Sequence, residues 1–149
     1  MSADQNRAVA RRVTFELFAG GNLAVMDQLT TPDFVNHGQT PGVPETEGRA
    51  SLANAIQRVR AAFPDFRYEL VHEVAEGDIV VHHLAASGTQ TGPFAGAGPT
   101  GRSAKWREVH VMRFSGGKMA EQWGVVDRLS ALQQLGLAPL PGKPPARPA

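Results

Sequence analysis

Four side chains able to move or hold a proton, Glu108, His110, Glu121 and Asp127, fall in one stretch, SAKWREVHVMRFSGGKMAEQWGVVDRLSALQQL, from Ser103 to Leu135. A neutral imidazole can polarise a carbonyl or relay a proton, and a carboxyl group beside it can act as its partner. Asp127 stands where the apolar alternation of this stretch ends. Against an apolar wall its carboxyl would be suited to proton transfer, but Asp is equally favoured as the cap of a following helix. Glu108 and Glu121 read as pocket acids or as ion-pair partners of Arg102, Lys105 or Lys118. His37 lies at the mouth of a loop, where it lines a cavity or faces water.

Two long strands must position these groups. A Gly116-Gly117 pair between alternating apolar runs predicts a tight hairpin, because both residues can take positive φ at little cost. Uninterrupted pairing from Ser115 and Lys118 sets Phe114 opposite Met119, Met112 opposite Glu121, His110 opposite Trp123, Glu108 opposite Val125 and Trp106 opposite Asp127. Side chains alternate along a strand, so this register puts all of them on one face. Trp106, Met112 and Trp123 would then join the acids and His110 in a wall with the composition of a small-molecule pocket. A core face whose polar groups reach past the sheet edge has the same pattern. The opposite face, with Arg107, Val109, Val111 and Arg113, suits a partner sheet or simply water.

The rest of the chain reads as helices followed by strands, the order of an α+β domain. Residues 4–19 form an amphipathic helix, and Asn22 starts a short second one through Leu29. Phe34-Val35-Asn36-His37 is a short strand entering a loop, Gly38 to Gly48. Leu52, Ile56, Val59 and Phe63 make the buried stripe of a third helix from about Arg49 to Phe63, which Pro64 ends. A half-buried strand carries Phe66, Tyr68, Leu70, His72 and Val74 on one face; Glu76-Gly77-Asp78 turns it back into Ile79–Ser87. Residues 88–102 form a long Gly-, Pro- and Thr-rich loop, and loops of that length inside a domain are usually functional or disordered. The proline-rich end, 138–149, reads as a disordered tail.

With 149 residues the chain has the length of one domain, and its 42% hydrophobic and 19% charged content is that of a globular protein. A formal net charge of +1 gives no electrostatic case for nucleic acid or a membrane surface. The absence of cysteine excludes disulfides, thiol nucleophiles and thiolate-bound metals. His72, His82 and His83 are scattered on strands without a ligand spacing, so no metal is expected. No dinucleotide, phosphate-loop or nucleophile-elbow motif occurs, so no nucleotide cofactor is indicated. A soluble, cytoplasmic protein is the expectation.

Phe34-Val35-Asn36-His37, Glu76-Gly77-Asp78, Gly88 to Phe94, Gly98-Pro99-Thr100-Gly101, Arg113-Phe114, Gly117-Lys118, Glu121-Gln122-Trp123 and Asp127 with Leu132 to Gly136 together resemble the SnoaL-like polyketide cyclase family of the NTF2-like superfamily. The resemblance implies an NTF2-like cone over 1–137, a curved antiparallel sheet wrapped round the N-terminal helices with an internal pocket, and a homodimer. It implies a cofactor-independent enzyme closing a ring in a polyketide-type substrate by intramolecular aldol addition. Asp127 matches the family's acid/base aspartate, His110 its assisting histidine and His37 a pocket-lining histidine. His110 and Asp127 are thus the expected catalytic pair, with His37, Trp106, Glu108, Met112, Glu121 and Trp123 around a small hydrophobic or polycyclic substrate. Many members have His where this chain has Gln90. Other outcomes of such a fold are a hydroxylase-like enzyme, an isomerase, an epoxide hydrolase or a non-catalytic binding dimer. An epoxide hydrolase would need an Asp-Arg-Asp set, whereas the expected face offers one Asp.

Overall fold

The computed structural model describes residues 1–38 and 47–142. The chain opens with α1 (Ala3–Arg12), which runs without a break into a wider, π-helical turn (Val13–Ala19). Ser2 and Gln5 start α1 through a reciprocal capping box. A single 3₁₀ turn (Leu23–Val25) and the short α2 (Met26–Leu29) lead into β1 (Thr30–Asn36). Next come α3 (Gly48–Ala62), β2 (Arg67–Glu76), β3 (Ile79–Thr89), β4 (Ser103–Ser115), β5 (Lys118–Val126) and α4 (Arg128–Gln134). Most of the expected Pro-rich tail and of the loop after Gly38 falls outside the described residues.

Five strands make one curved, unclosed sheet in the order β1-β5-β4-β3-β2. β2 to β5 are antiparallel neighbours, and β1 adds to β5 in parallel, so the sheet is mixed. Its concave side closes over α1, the π-helical turn and α3 through Val13, Leu17, Phe18, Leu52, Ile56, Val80, Met112, Phe114 and Met119. A second apolar cluster, Phe63, Phe66, Ala86, Trp106, Ala131 and Leu135, closes the other end beneath α4.

Gly116 and Gly117 turn β4 into β5 with φ of 56° and 82°, and Ser115 pairs with Lys118 as the sequence predicts. The predicted register then fails at one residue. Phe114 pairs with Met119, but Arg113 pairs with Glu121, leaving Ala120 as an extra, unpaired residue. This is a β-bulge, and it moves everything beyond it to the other face. Met112 stands opposite Gln122 and not Glu121; His110 opposite Gly124 and not Trp123; Glu108 opposite Val126 and not Val125. Asp127 lies past the strand, so it does not pair with Trp106. Gln122 and Gly124 therefore face inwards, and Glu121, Trp123 and Val125 face out.

A second bulge at Val71 does the same to β2: Leu70 pairs with Leu84, but His72 pairs with His83. Tyr68 and Glu73 both face the interior as a result, while Val74, expected on the buried side, is 61% exposed. Bulges also add twist, which helps bend the sheet around its helices.

The long loop after β3 is tied down at its start. Gln90 is fully buried; its amide nitrogen donates to the carbonyls of Gly92 (2.9 Å) and Gly98 (3.1 Å), and its oxygen accepts from Thr100 N–H (3.0 Å) and Oγ1 (2.6 Å). Gln90 is thus a loop pin. The Thr91 and Gly92 N–H groups both donate to the carbonyl of Ala62 at the end of α3. A Cβ on Gly92 would sit 2.0 Å from the Ala61 carbonyl oxygen. We predict that Gly92→Ala destabilises the fold by at least the ~1–3 kcal/mol of ordinary overpacking. Its thermal midpoint should fall by several degrees; an unchanged midpoint would show that the loop does not rest on α3.

Candidate active site

Between the two apolar clusters lies a cavity of about 750 Å³. Its walls are largely apolar and aromatic, with Phe18, Leu52, Ile56, Phe63, Phe66 and Trp106 among them. The loop tip Pro93–Gly96 forms part of the mouth. Size and lining suit a polycyclic organic molecule. The inward-facing polar groups Tyr68, Glu108, His110 and Gln122 also line it.

These four side chains are joined in one network. Glu108 and His110 are two residues apart on β4 and so share the concave face. His110 Nε2 lies 2.8 Å from Glu108 Oε2, and the Tyr68 hydroxyl donates to the same oxygen at 2.6 Å. Trp106 Nε1–H donates to Oε1 at 2.8 Å. On the other side of the imidazole, Gln122 Nε2 is 2.7 Å from Nδ1. A carboxylate accepts only, so His110 carries its proton on Nε2 and offers Nδ1 as the acceptor. Tyr68 reaches Glu108 from two strands away. Ala86 on β3, paired with both Tyr68 and Trp106, leaves the space for it.

Burial alone would push the Glu108 carboxyl up, but the bonds from His110, Tyr68 and Trp106, together with the charge His110 can carry, hold it below the usual glutamate range. Burial, then the Glu108 charge, pushes the Tyr68 phenol well above its ordinary value, so it stays a donor. The resulting Glu–His pair resembles the orienting half of a catalytic triad: a fixed carboxylate sets the tautomer of a base and stabilises its protonated form. Gly124 leaves room for the Gln122 amide: a Cβ there would sit 3.1 Å from Gln122 Nε2, while its 3.7 Å approach to His110 Cε1 would be ordinary contact.

A second Glu–His pair lies next to the first. His82 stands directly opposite His110 on the neighbouring strand. Its Nε2 is 2.8 Å from Glu73 Oε2 and its Nδ1 is 2.8 Å from Thr14 Oγ1. Glu73 also takes Arg11 at 2.8 Å and Arg7 at 3.2 Å from α1. Burial raises the Glu73 carboxyl, but the bonds from Arg11 and His82 outweigh this and keep it below the ordinary range. Burial lowers His82 despite Glu73.

The expected site residues divide into four groups. Trp106, Glu108 and His110 line the cavity. Met112 faces inwards but is fully buried in the core beside α1. His37, Glu121 and Trp123 do come together, though on the opposite side of the sheet, because of the Ala120 bulge. There Glu121 accepts from His37 (2.8 Å) and Arg113 (2.5 Å), bonds that hold its carboxyl low, and the His37 ring stacks on Trp123 at 4.6 Å. Asp127 is the N-cap of α4: its Oδ1 accepts from Ser130 N–H at 3.1 Å, and it is exposed and outside the cavity lining. Sequence reasoning missed Tyr68, Gln122 and the aromatic set Phe63, Phe66 and Phe94. A signal for Gln122 was present: consecutive apolar Met119-Ala120 breaks the alternation where the bulge falls. Among the described residues, no three His, Cys, Asp or Glu side chains converge to hold a metal, and no helix is long and apolar enough to cross a membrane.

The chain is similar to known proteins over most of its length. A family model described as SnoaL-like polyketide cyclase matches residues 8–135. The chain is 30% identical over 120 residues to nogalonic acid methyl ester cyclase of Streptomyces nogalater, covering 80% of this chain and 89% of that one. It is 28% identical over 105 residues to aklanonic acid methyl ester cyclase of Streptomyces peucetius, covering 70% of this chain and 72% of that one. Its fold superposes on the crystal structure of IdmH from Streptomyces antibioticus with a TM-score of 0.76 at 29% identity, over 89% of this chain and 99% of that one.

The Glu108 network makes a pH-dependent prediction. Because its carboxyl is held below the ordinary value of 4.5, the network adds stability above that pH and loses it as pH falls through and below it. Glu108→Gln leaves one acceptor oxygen for three donors and should cost about 1–3 kcal/mol at neutral pH. The gap in melting temperature between the wild type and this variant should narrow below about pH 4.5; a constant gap would mean that the charge of Glu108 adds nothing.

Proposed function

We infer the reaction of this protein from one premise: the chain belongs to the SnoaL-like polyketide cyclase family. The reading supported best is an acid/base enzyme that closes a ring in a polyketide-type carbonyl substrate by intramolecular aldol addition. The observation that carries it is His110, anchored through Nε2 on a buried carboxylate while its other edge borders an apolar cavity.

In this reading the substrate lies against Phe63, Phe66 and Trp106 with an acidic carbon over the Nδ1 edge of His110. Nδ1 takes a proton from the carbon between two carbonyls, and the C–H electron pair becomes an enolate. The Gln122 amide, released from Nδ1, donates a hydrogen bond to the enolate oxygen. Glu108 stabilises the imidazolium that has formed. The cavity keeps the chain folded, so the enolate carbon meets a second carbonyl at high effective concentration. The new C–C bond sends the carbonyl π pair to oxygen, and the alkoxide takes its proton back from Nδ1. Protons balance, and His110 ends as it began. The proton thereby passes through His110 and not through Asp127, whose carboxylate is engaged at the start of α4.

Ring closure of nogalonic acid methyl ester, the substrate class named for the curated relative, is the assay. His110→Gln should lower the rate by about 10²–10⁴-fold, the usual worth of a positioned acid/base. Asp127→Asn should keep the rate within about threefold and lose at most the ~0.5–2 kcal/mol of a helix cap. The reverse ranking would return the proton transfer to Asp127.

We also propose a homodimer formed through the convex side of the sheet. Trp123 and Val125 are exposed there, Val125 by 70%, beside the half-buried Val109 and Val111. Light scattering should give twice the chain mass, and Val125→Arg should shift it to the monomer. A monomeric wild type ends this proposal.

A further inference from the structure

The polar groups of the cavity lining are almost all engaged. Tyr68, Trp106, His110 and Gln122 are bound up with Glu108. Asn36 donates to Ser51 Oγ and accepts from Gly38 N–H. Two cationic side chains are the exception. Arg58 and Arg128 both line the cavity. Among the described residues neither makes a side-chain hydrogen bond or ion pair. Arg7, Arg11, Arg12, Arg49 and Arg113, by contrast, each meet a carboxylate.

An exposed arginine without a partner is ordinary. Two of them on one apolar cavity, from different elements, are a charge arrangement. Arg58 lies one turn beyond Ala55 on the cavity edge of α3, and Arg128 is the first residue of α4. Among the described residues the lining thus carries two guanidinium groups against one carboxylate, and that carboxylate is buried and already satisfied by three donors. A neutral ester offers such groups only weak acceptors. A carboxylate matches the planar guanidinium fork in charge and geometry.

We propose that the cavity takes polycyclic substrates bearing a free carboxylate, held at the mouth by Arg58 and Arg128 while the reacting carbons lie over His110. This rests on the cyclase reading for the site and goes beyond it in naming the charge of the substrate. It separates this chain from its two curated relatives, both of which are named for methyl esters. Arg58 and Arg128 are then specificity-determining residues and take no part in proton transfer.

The test is binding of a matched pair, anthraquinone-2-carboxylic acid and its methyl ester, by calorimetry on the full chain. At low ionic strength the acid should bind at least about tenfold more tightly, and added salt should shrink the difference. Arg58→Gln with Arg128→Gln should bring the acid down to the affinity of the ester, with a thermal melt showing that the double variant is folded. Each single variant should lose part of the preference. Equal affinities in the wild type, a preference that survives the double variant, or no binding of either ligand would each overturn the inference. None of these bears on whether His110 moves the proton, which the turnover of His110→Gln decides separately.

Discussion

A buried carboxylate must be solvated by something, and in this protein the something is the rest of the site. Glu108 sits on a strand facing an apolar interior, where an unpaired charge would cost several kcal/mol. Three donors meet it: Tyr68 from β2, and Trp106 and His110 from β4 itself. Each of them is thereby fixed. Trp106 is held as a wall of the cavity, Tyr68 is kept protonated, and His110 has its tautomer and ring plane set. The small Ala86 between Tyr68 and Trp106 belongs to the same arrangement, because a larger side chain on β3 would fill the space the phenol crosses. The bonds that fix the His110 ring are among those that make the carboxylate tolerable.

The two β-bulges decide which residues join that network. Strict alternation along β5 would have faced Glu121 and Trp123 inwards, and along β2 it would have faced His72 and Val74 inwards. One extra residue in each strand, Ala120 and Val71, brings in Gln122 and Glu73 instead. Each of these then binds a histidine of the inner face, Gln122 to His110 and Glu73 to His82. The bulges thus supply polar partners exactly where the interior holds an imidazole, and they send Trp123, Val74 and Val125 outwards as exposed apolar groups.

Much of the fold was legible because its signals are local. Capping residues, the Leu52-Ile56-Val59-Phe63 stripe, the Gly116-Gly117 turn and the β4 alternation all point to the elements that form, and Trp106, Glu108 and His110 were readable as one face from their spacing alone. The sheet's far side was misjudged for a single physical reason: a bulge changes register without changing composition, so Glu121, Trp123 and Asp127 kept their place in the sequence pattern while leaving the face. The Tyr68–Glu108 bond spans forty positions of sequence and crosses the intervening strand β3, which no periodicity encodes. Gln90 was noticed as a departure, but its meaning as a loop pin needed the carbonyls of Gly92 and Gly98 in place.

The two Glu–His pairs share residue types and differ in what surrounds them. His82 and His110 stand opposite each other on adjacent strands, each with a glutamate on Nε2. Over His82 the π-helical turn brings Thr14, whose hydroxyl occupies the second nitrogen, and the ring is fully buried. Its carboxylate is shared with Arg7 and Arg11, so the whole group ties α1 to the sheet. Over His110 the same turn brings the Phe18 ring, its centroid 5.4 Å from the imidazole, and no hydroxyl. The second nitrogen meets the Gln122 amide, and both His110 and Phe18 line the cavity. The same pair of residue types is a structural clamp where a hydroxyl and two arginines close it off, and a candidate acid/base where it borders the cavity.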